Sequence, residues 1–567
     1  MNSDNRNLIA AIAISMLILV VYQIYFMPEP AQQDAFPGQT VESLPAATGE
    51  QIVISRNEPI SAVISAPRVP IETPLLGGTV SRAGGRLDDL RLLNYGLNAA
   101  GDENRVPLLR ATGDPDSYFA EILFLDPAGN RLVDKNTTWT ADTSSLSPAS
   151  PVTLSHEGED GMSYRLIYTV DDGYMITIRA EVTNGSGSSV DLRQFARIRR
   201  NLPSLSDFFI SYEGPIGVFA EDEKTEVHYD DIGDIGIAGQ TYQSQGVNGW
   251  IGVTDKYWLT ALIPAEQDGV TFGFRRPGGE GAPAQVDLST ATTRLEPGAT
   301  LSREFHLFAG PKKINVLLGY NDKLSIERLD HAIDWGWFPF LTKPFFHALN
   351  WLFGMLGNFG LAILALTVVV KLAFFPLANR SYKSMAKMRE LSPKIQELRE
   401  RFSDDRQRQQ QEMMKLYRDE KINPAAGCLP VLLQIPVFFA LYKVLFVTIE
   451  MRHAPFYGWV ADLSAKDPTS IINLFGLLPF STGGLPDFIN LGVWPLLMGI
   501  TMFVQMSLNP PPPDPVQAKI FKFMPLMFTF LLATFPAGLV IYWTWNNLLS
   551  IIQQWAIMRS VKAEKAR

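Results

Sequence analysis

The sequence predicts a multi-domain membrane protein: a six-span α-helical bundle with a cytoplasmic helical hairpin, joined to a large all-β sandwich outside the cytoplasm. Three observations carry this. Apolar residues, 46% of the 567, are concentrated at the N-terminus and after about Pro344, so the average conceals unlike parts. The middle of the chain is built of short alternating runs separated by Gly, Asn and Asp. Basic residues collect in some of the segments between apolar runs and are scarce in others.

Taken in order, residues 8–27, "LIAAIAISMLILVVYQIYFM", are long enough to cross a bilayer. Their end carries Tyr22, Tyr25, Phe26 and Met27 instead of small residues, which predicts an uncleaved anchor. Arg6 before it and Glu29 and Asp34 after it place the N-terminus inside. Residues 28–51, rich in Pro, Gln and Ala, are a linker. Strand patterns follow through residues 52–333, clearest in "YRLIYTVDDGYMITIRAEVTNGS". There Ile176, Ile178, Ala180 and Val182 alternate with polar neighbours, and Asp171-Asp172-Gly173 supplies a hairpin turn.

Residues 334–358 predict an amphipathic helix in the membrane interface, with Phe345, Leu349, Leu352, Phe353 and Leu356 on one face. Spans are expected at residues 359–377, 425–447, 493–506, 523–534 and 539–557, the last two separated by a tight turn at Pro536-Ala537-Gly538. The loop between the first two of these is dense in Lys and Arg, Lys519 and Lys522 mark another loop, and Arg559, Lys562, Lys565 and Arg567 the C-terminus. Six spans with both ends inside satisfy all of these signals.

The basic loop, 378–423, has its own helical periodicity. Met385, Met388, Ile395, Leu398 and Phe402 recur at helical spacing up to a break at "SDDRQ", with an interruption at Ser392-Pro393, where Ser can cap and Pro can start a turn. Met413, Leu416 and Tyr417 mark the returning helix from Gln407 to Asp419. This predicts an antiparallel hairpin whose methionines, Met385, Met388 and Met413, suit an adaptable surface.

Composition excludes several function classes. A formal net charge of −9 argues against bulk nucleic-acid binding. Cys428 is the only cysteine, so there is no internal disulfide and no Cys-based metal site. The six His show no metal-type pairing, and no phosphate-binding or nucleophile-elbow motif occurs, so neither an enzyme nor a cofactor is expected. The chemistry-bearing feature is Lys371 within "LTVVVKLAFFPLANR". It lies nine residues before Arg380, about 13 Å along a continuous helix and so near the middle of a hydrocarbon layer about 30 Å thick. No Asp or Glu lies in the apolar runs to neutralise it, which disfavours a proton relay. Thr367, Gln434 and the series Tyr542, Asn546, Ser550 and Gln554 offer polar groups at helical spacing. Together they predict a wet groove whose cation meets a partner arriving from elsewhere.

The stretch "SMAKMRELSPKIQELRERFSDDRQRQQQEMMKLYRDEKINPAAGCLPVLLQIPVFFALYKVL" resembles the cytoplasmic hairpin and third span of the YidC/Oxa/Alb family of membrane protein insertases. "LSAKDP", "GITMFVQMS", "DPVQAKIFKFMP" and "FPAGLVIYWTWNNLLSIIQQ" fit the same pattern in order, covering the chain from about Asp334 onward. The anchor and β-domain look like the Gram-negative form, in which the resemblance implies a periplasmic β-supersandwich. It also implies a bacterial inner-membrane location, and a groove open to cytoplasm and lipid that contains Lys371, Thr367, Gln434, Phe438, Tyr542, Trp543 and Asn546. Lys371 stands where many relatives carry Arg, so the planar fork is lost while the charge is kept. The implied clients are nascent membrane proteins, and the implied partners are the Sec translocon, phospholipids and, given the short tail 559–567, more weakly the ribosome. A small-anion or lipid transporter using Lys371 as binding cation, or a structural assembly factor docking through the β-domain, are the alternatives. Flux of a defined solute marks the first, and a silent Lys371→Ala the second.

Overall fold

The computed structural model describes residues 66–565 apart from 100–103, 202–210, 221–222, 228, 230–231, 233–238, 245–247, 278–281, 337, 403–404, 421–428, 479–489 and 510–514. The expected anchor (8–27), linker (28–51) and start of the β-domain at 52 lie outside the described residues, as do Cys428 and the two last residues of the tail.

Strands from Arg68 to Pro311 form two antiparallel sheets, one of ten strands and one of nine. The predicted hairpin pairs Met162–Val170 with Met175–Asn184 near the middle of the nine-stranded sheet. Its turn is fixed by Asp171, whose Oδ1 accepts from the amides of Gly173 (2.9 Å) and Met175 (3.1 Å), an Asx-type substitute for backbone pairing. Ile176, Ile178, Ala180 and Val182 are buried, as the alternation requires. Between the sheets, Trp139, Tyr164, Tyr168, Phe272 and Phe305 are fully buried. In the ten-stranded sheet, Glu121 is buried among Arg86, Arg131 and Arg197. Burial alone would raise its carboxyl pKa, yet the guanidinium charges, led by Arg197, hold it well below the usual carboxylate range.

The helices follow. α1 (Ile314–Leu324) closes onto the β-domain through Tyr320, whose hydroxyl donates to Asp171 Oδ2 at 2.8 Å and accepts from the Tyr174 amide at 2.8 Å. α2 (Pro339–Leu356) buries Thr342, Phe346 and Leu349. Of the expected apolar face, Leu349 is buried, whereas Phe353 and Leu356 are 37% and 43% exposed. The spacing 342, 346, 349 turns the buried stripe away from them, although Phe353 still stacks on Phe359 with centroids 3.9 Å apart.

The first expected span of the core is not one helix. α3 (Phe359–Ala373) and α4 (Phe375–Glu390) meet at an angle of 69°. Pro376 lies in the first turn of α4, where its ring disfavours a helical conformation for the preceding residue and it can give no backbone donor. Lys371 thus belongs to the last turn of α3, and the distance along a continuous helix to Arg380 no longer measures its depth. Among the described residues no single helix is long and apolar enough to cross a membrane; this bent pair meets that length and composition together.

α4 continues into α5 (Ser392–Arg401), which pairs with α6 (Arg406–Asp419) as the hairpin. Asp405 caps α6 by accepting from the Arg408 amide at 3.0 Å. The residue before α5 is Leu391, already helical, so Ser392 falls at the first helical position and not at the expected cap position. The remaining helices are α7 (Leu429–Val447), α8 (Val493–Ser507), α9 (Pro515–Leu532) and α10 (Ala537–Lys565). α9 begins eight residues before the expected span 523–534 and carries Lys519 and Lys522 in its earlier turns.

The "LSAKDP" segment explains how α8 and α10 begin. The amides of Gly538 and Ala537 donate to the carbonyls of Leu463 (2.9 Å) and Ala465 (2.7 Å), satisfying donors that a helix N-terminus leaves free. Asp467 Oδ2 accepts from the Trp494 amide at 2.9 Å in the first turn of α8. Glycine eases both approaches: a Cβ on Gly538 would lie a tight 3.0 Å from the Leu463 carbonyl oxygen, and one on Gly492 would clash with Asp467 Cγ at 2.5 Å.

Candidate functional site

α2, α3, α4, α7 and α10 enclose a recess of about 630 Å³, counting the space open at its mouth. Lys371 enters it from α3. The α3 C-terminus presents the negative end of the helix dipole, a favourable seat for a cation. Its Nζ donates to Ser550 Oγ at 2.6 Å, and Ser550 Oγ in turn donates to the Asn546 carbonyl at 2.8 Å. The acceptor is thus a neutral hydroxyl on α10, and no ion pair to Lys371 occurs among the described residues.

Of the seven residues expected in the groove, five line this recess: Thr367, Lys371, Gln434, Tyr542 and Asn546. Thr367 returns its hydroxyl to the Ile363 carbonyl at 2.7 Å, so it shows the recess mainly a methyl group. Phe438 and Trp543 do not line it. Their rings pack against each other 4.6 Å apart, Phe438 also stacks with Tyr442, and Trp543 lies beside Phe528 of α9. The result is an aromatic strip linking α7, α9 and α10.

The polar series on α10 does not form one face. Steps of four residues advance about 40° beyond a full turn, so Tyr542 and Asn546 face the recess and Gln554 has swung to α8. There its Nε2 donates to the Leu508 carbonyl (3.3 Å) and to Asn509 Oδ1 (3.1 Å). Gln553, eleven residues after Tyr542 and only about 20° off its direction, lines the recess instead. Testing the interval of eleven would have found it. Tyr382 on α4 also lines the recess, and a straight 359–377 span gave no signal for it.

The hairpin residues separate. Met388 and Met413 pack with Leu416 against the buried trio Leu391, Ile395 and Tyr417, so they serve the hairpin's own core more than its surface. Met385 leaves them, burying itself with Tyr382 against Ile557 of α10.

These features define a two-part protein, a helical core holding a cation in a recess between bent and proline-containing helices, joined to a two-sheet β-domain. Residues 68–348 match the family model of the YidC periplasmic domain, and residues 351–565 that of the 60Kd inner membrane protein. The membrane protein insertase YidC of Methylobacterium radiotolerans is 45% identical over 100% of this chain and 96% of its own. That of Brucella suis biovar 1 is 43% identical over 98% and 96% respectively. A solved active YidC insertase with its first transmembrane domain resolved is 18% identical, covering 87% of this chain and 95% of its own, with a TM-score of 0.36. The chain belongs to the YidC family of membrane protein insertases.

Proposed function

We propose that this chain inserts, folds and assembles integral membrane proteins, with the Lys371 recess as the transient host of the incoming segment. The observation that carries this is the pairing of Lys371 with a hydroxyl and not an acid. A neutral acceptor is readily exchanged, so the ammonium remains available to an acidic flank of a client. Gln434, Tyr542, Asn546 and Gln553 supply polar groups to a lining that is otherwise largely apolar, and the strip of Phe438 and Trp543 offers a further apolar surface beside it.

The energetics need no fuel. A segment of about 20 apolar residues gains roughly 6–12 kcal/mol on entering lipid, while each charged residue at mid-bilayer costs about 3 kcal/mol. The obstacle is the barrier for the polar flank, which a recess holding a cation lowers. In this reading no catalytic residue, metal or cofactor takes part. The chain has six spans with both termini in the cytoplasm and the β-domain in the periplasm. The basic hairpin α5–α6 receives the nascent segment, alone or with the Sec translocon, beside phospholipid and with a weaker ribosome contact.

The test is site-specific photocrosslinking from Gln434 and Asn546 to ribosome-bound nascent spans, together with Lys371 variants. Crosslinks are expected from both positions. Lys371→Arg should insert a client with an acidic flank normally, whereas Lys371→Ala and Lys371→Glu should fall several-fold, the latter further. Normal insertion of every single-span client by both Ala and Glu variants overturns the role of the cation.

A further inference from the structure

We propose that residues 471–478 form an apolar wedge that enters the outer leaflet of the membrane beside α8. The inference rests on the reading above only in placing the start of α8 on the periplasmic side.

Ile471, Leu474, Phe475, Leu477 and Leu478 are 43%, 49%, 42%, 82% and 40% exposed. They sit in a stretch without a charged residue between Asp467 and Asp487. Their presentation is imposed by the backbone. Leu474, Phe475 and Gly476 have φ of 50°, 59° and 96°, and only the glycine is at ease there. A leucine and a phenylalanine are held left-handed at a cost of about 1–3 kcal/mol each. The turn is fixed by the Ser470 carbonyl, which accepts from the Phe475 amide at 2.7 Å. It is fixed also by Asn473, whose carbonyl accepts from Leu478 N at 3.0 Å and whose Oδ1 accepts from Gly476 N at 3.0 Å. Strain kept in order to expose leucines implies an apolar environment that receives them.

Three contacts fasten this knuckle to the start of α8: Ile471 N to the Leu491 carbonyl at 2.8 Å, Val493 N to Thr469 Oγ1 at 3.0 Å, and Trp494 N to Asp467 Oδ2 at 2.9 Å. It therefore continues the outward face of α8, where Leu497, Ile500, Phe503 and Val504 are exposed. Tyr457 and Trp459 are exposed nearby, with Trp459 tied to Asp467; such rings favour the headgroup level. A bilayer fits this surface better than a protein partner, whose contact would call for a rim of hydrogen-bonding groups. Length gives the reason for a wedge. α8 has 15 residues, about 22 Å of helix, against a hydrocarbon layer of about 30 Å. The knuckle adds apolar surface at the outer end, where so short a span would otherwise force the bilayer to thin.

The test places a single cysteine at Leu477, and separately at Ile471, in a Cys428→Ser background, with Ser189→Cys in the β-domain as the water-exposed reference. Each is labelled with an environment-sensitive fluorophore and reconstituted in phosphatidylcholine vesicles. Blue-shifted emission and several-fold stronger quenching by doxyl-labelled lipid than at Ser189 are expected for both positions. Emission and quenching equal to Ser189 overturn the wedge. So does shielding that appears only with a co-reconstituted Sec translocon, or only at high protein-to-lipid ratio, which would assign a protein partner or a second copy. An impermeant thiol reagent applied to right-side-out and inverted vesicles reports the side separately: reactivity from the cytoplasmic side alone refutes the topology, not the lipid contact.

Discussion

Asp467 is 7% exposed and accepts four hydrogen bonds: from Trp459 Nε1 (3.1 Å), from the amide and hydroxyl of Thr469 (3.0 and 2.7 Å) and from Trp494 N (2.9 Å). Removing the carboxylate strands these donors beside a helix N-terminus. Asp467→Ala should lower stability by about 2–3 kcal/mol, read as a lower unfolding midpoint of the detergent-solubilised chain; an unchanged midpoint would refute this account of the motif. Lys312 makes the opposite case, a charge held at a cost. It is 2% exposed, and burial pushes its ammonium down to about 8, against the pull of Asp255, Asp334 and Glu213 and with the repulsion of Lys224. The unfolded chain keeps that proton up to its ordinary value of 10.5. Between about pH 8 and 10 the unfolded state therefore binds more protons, and stability rises with pH. Lys256, lowered to about 8 by burial, adds to the slope. Above an ordinary phenol value of 10.0 the trend reverses, since burial raises Tyr118 and Tyr229 and the unfolded state loses those protons first. Lys312→Met should flatten the rise in denaturant midpoint between pH 8 and 10, and an unaltered slope would show that the ammonium is not its source.

The hairpin shows what periodicity can and cannot say about an element. Ile395, Met388, Met413, Leu416 and Tyr417 were legible as its apolar face because a short two-helix unit has only one way to hide them. Met385 shares their spacing but belongs to another neighbour, Ile557, which lies over 170 residues away in sequence and leaves no local trace. The same limit applies to the recess. Lys371 stood out by the cost of its charge in an apolar run, but Ser550 as its acceptor follows from the 69° bend of α3 against α4 and the packing of α10, neither of which is a local property. For the hairpin the consequence is measurable. Tyr417 is 7% exposed and Met414, one turn earlier on the flank of the same helix, 57%. Tyr417→Ala should cost about 3 kcal/mol of local stability and speed amide exchange throughout α5 and α6, while Met414→Ala should leave exchange unchanged. Equal effects would mean that the hairpin closes some other way.

At the scale of the whole molecule, the β-domain is held to the helices by charged groups that the alternation of its strands could not reveal. Lys443 on α7 pairs with Asp334 at 2.6 Å, with side chains 12% and 23% exposed. Arg452 donates to the Gly96 carbonyl at 2.7 Å and lies over the Trp258 ring at 5.4 Å, while Lys256 sits 3.6 Å from the Phe446 ring centroid. Asp334 is the hub, since it also accepts from the amides of Gly336 (2.9 Å) and Tyr212 (3.3 Å). The ion pair thereby orders the segment between the 3₁₀ turn Leu329–Ala332 and α2. A double-mutant cycle isolates its share. Asp334→Asn keeps an oxygen for Gly336 but loses the charge, and Lys443→Met keeps the stem but loses the ammonium. Each single change should raise amide exchange around residues 333–341 by about tenfold, equivalent to roughly 1.4 kcal/mol, because it removes the opposite charge from beside a largely buried group. The double variant should lose less than the sum of the two, since neither charge then remains to be solvated. Additive losses would place the joint in Arg452 and Lys256, and the β-domain would then be fastened through its rings and carbonyls instead of through Asp334.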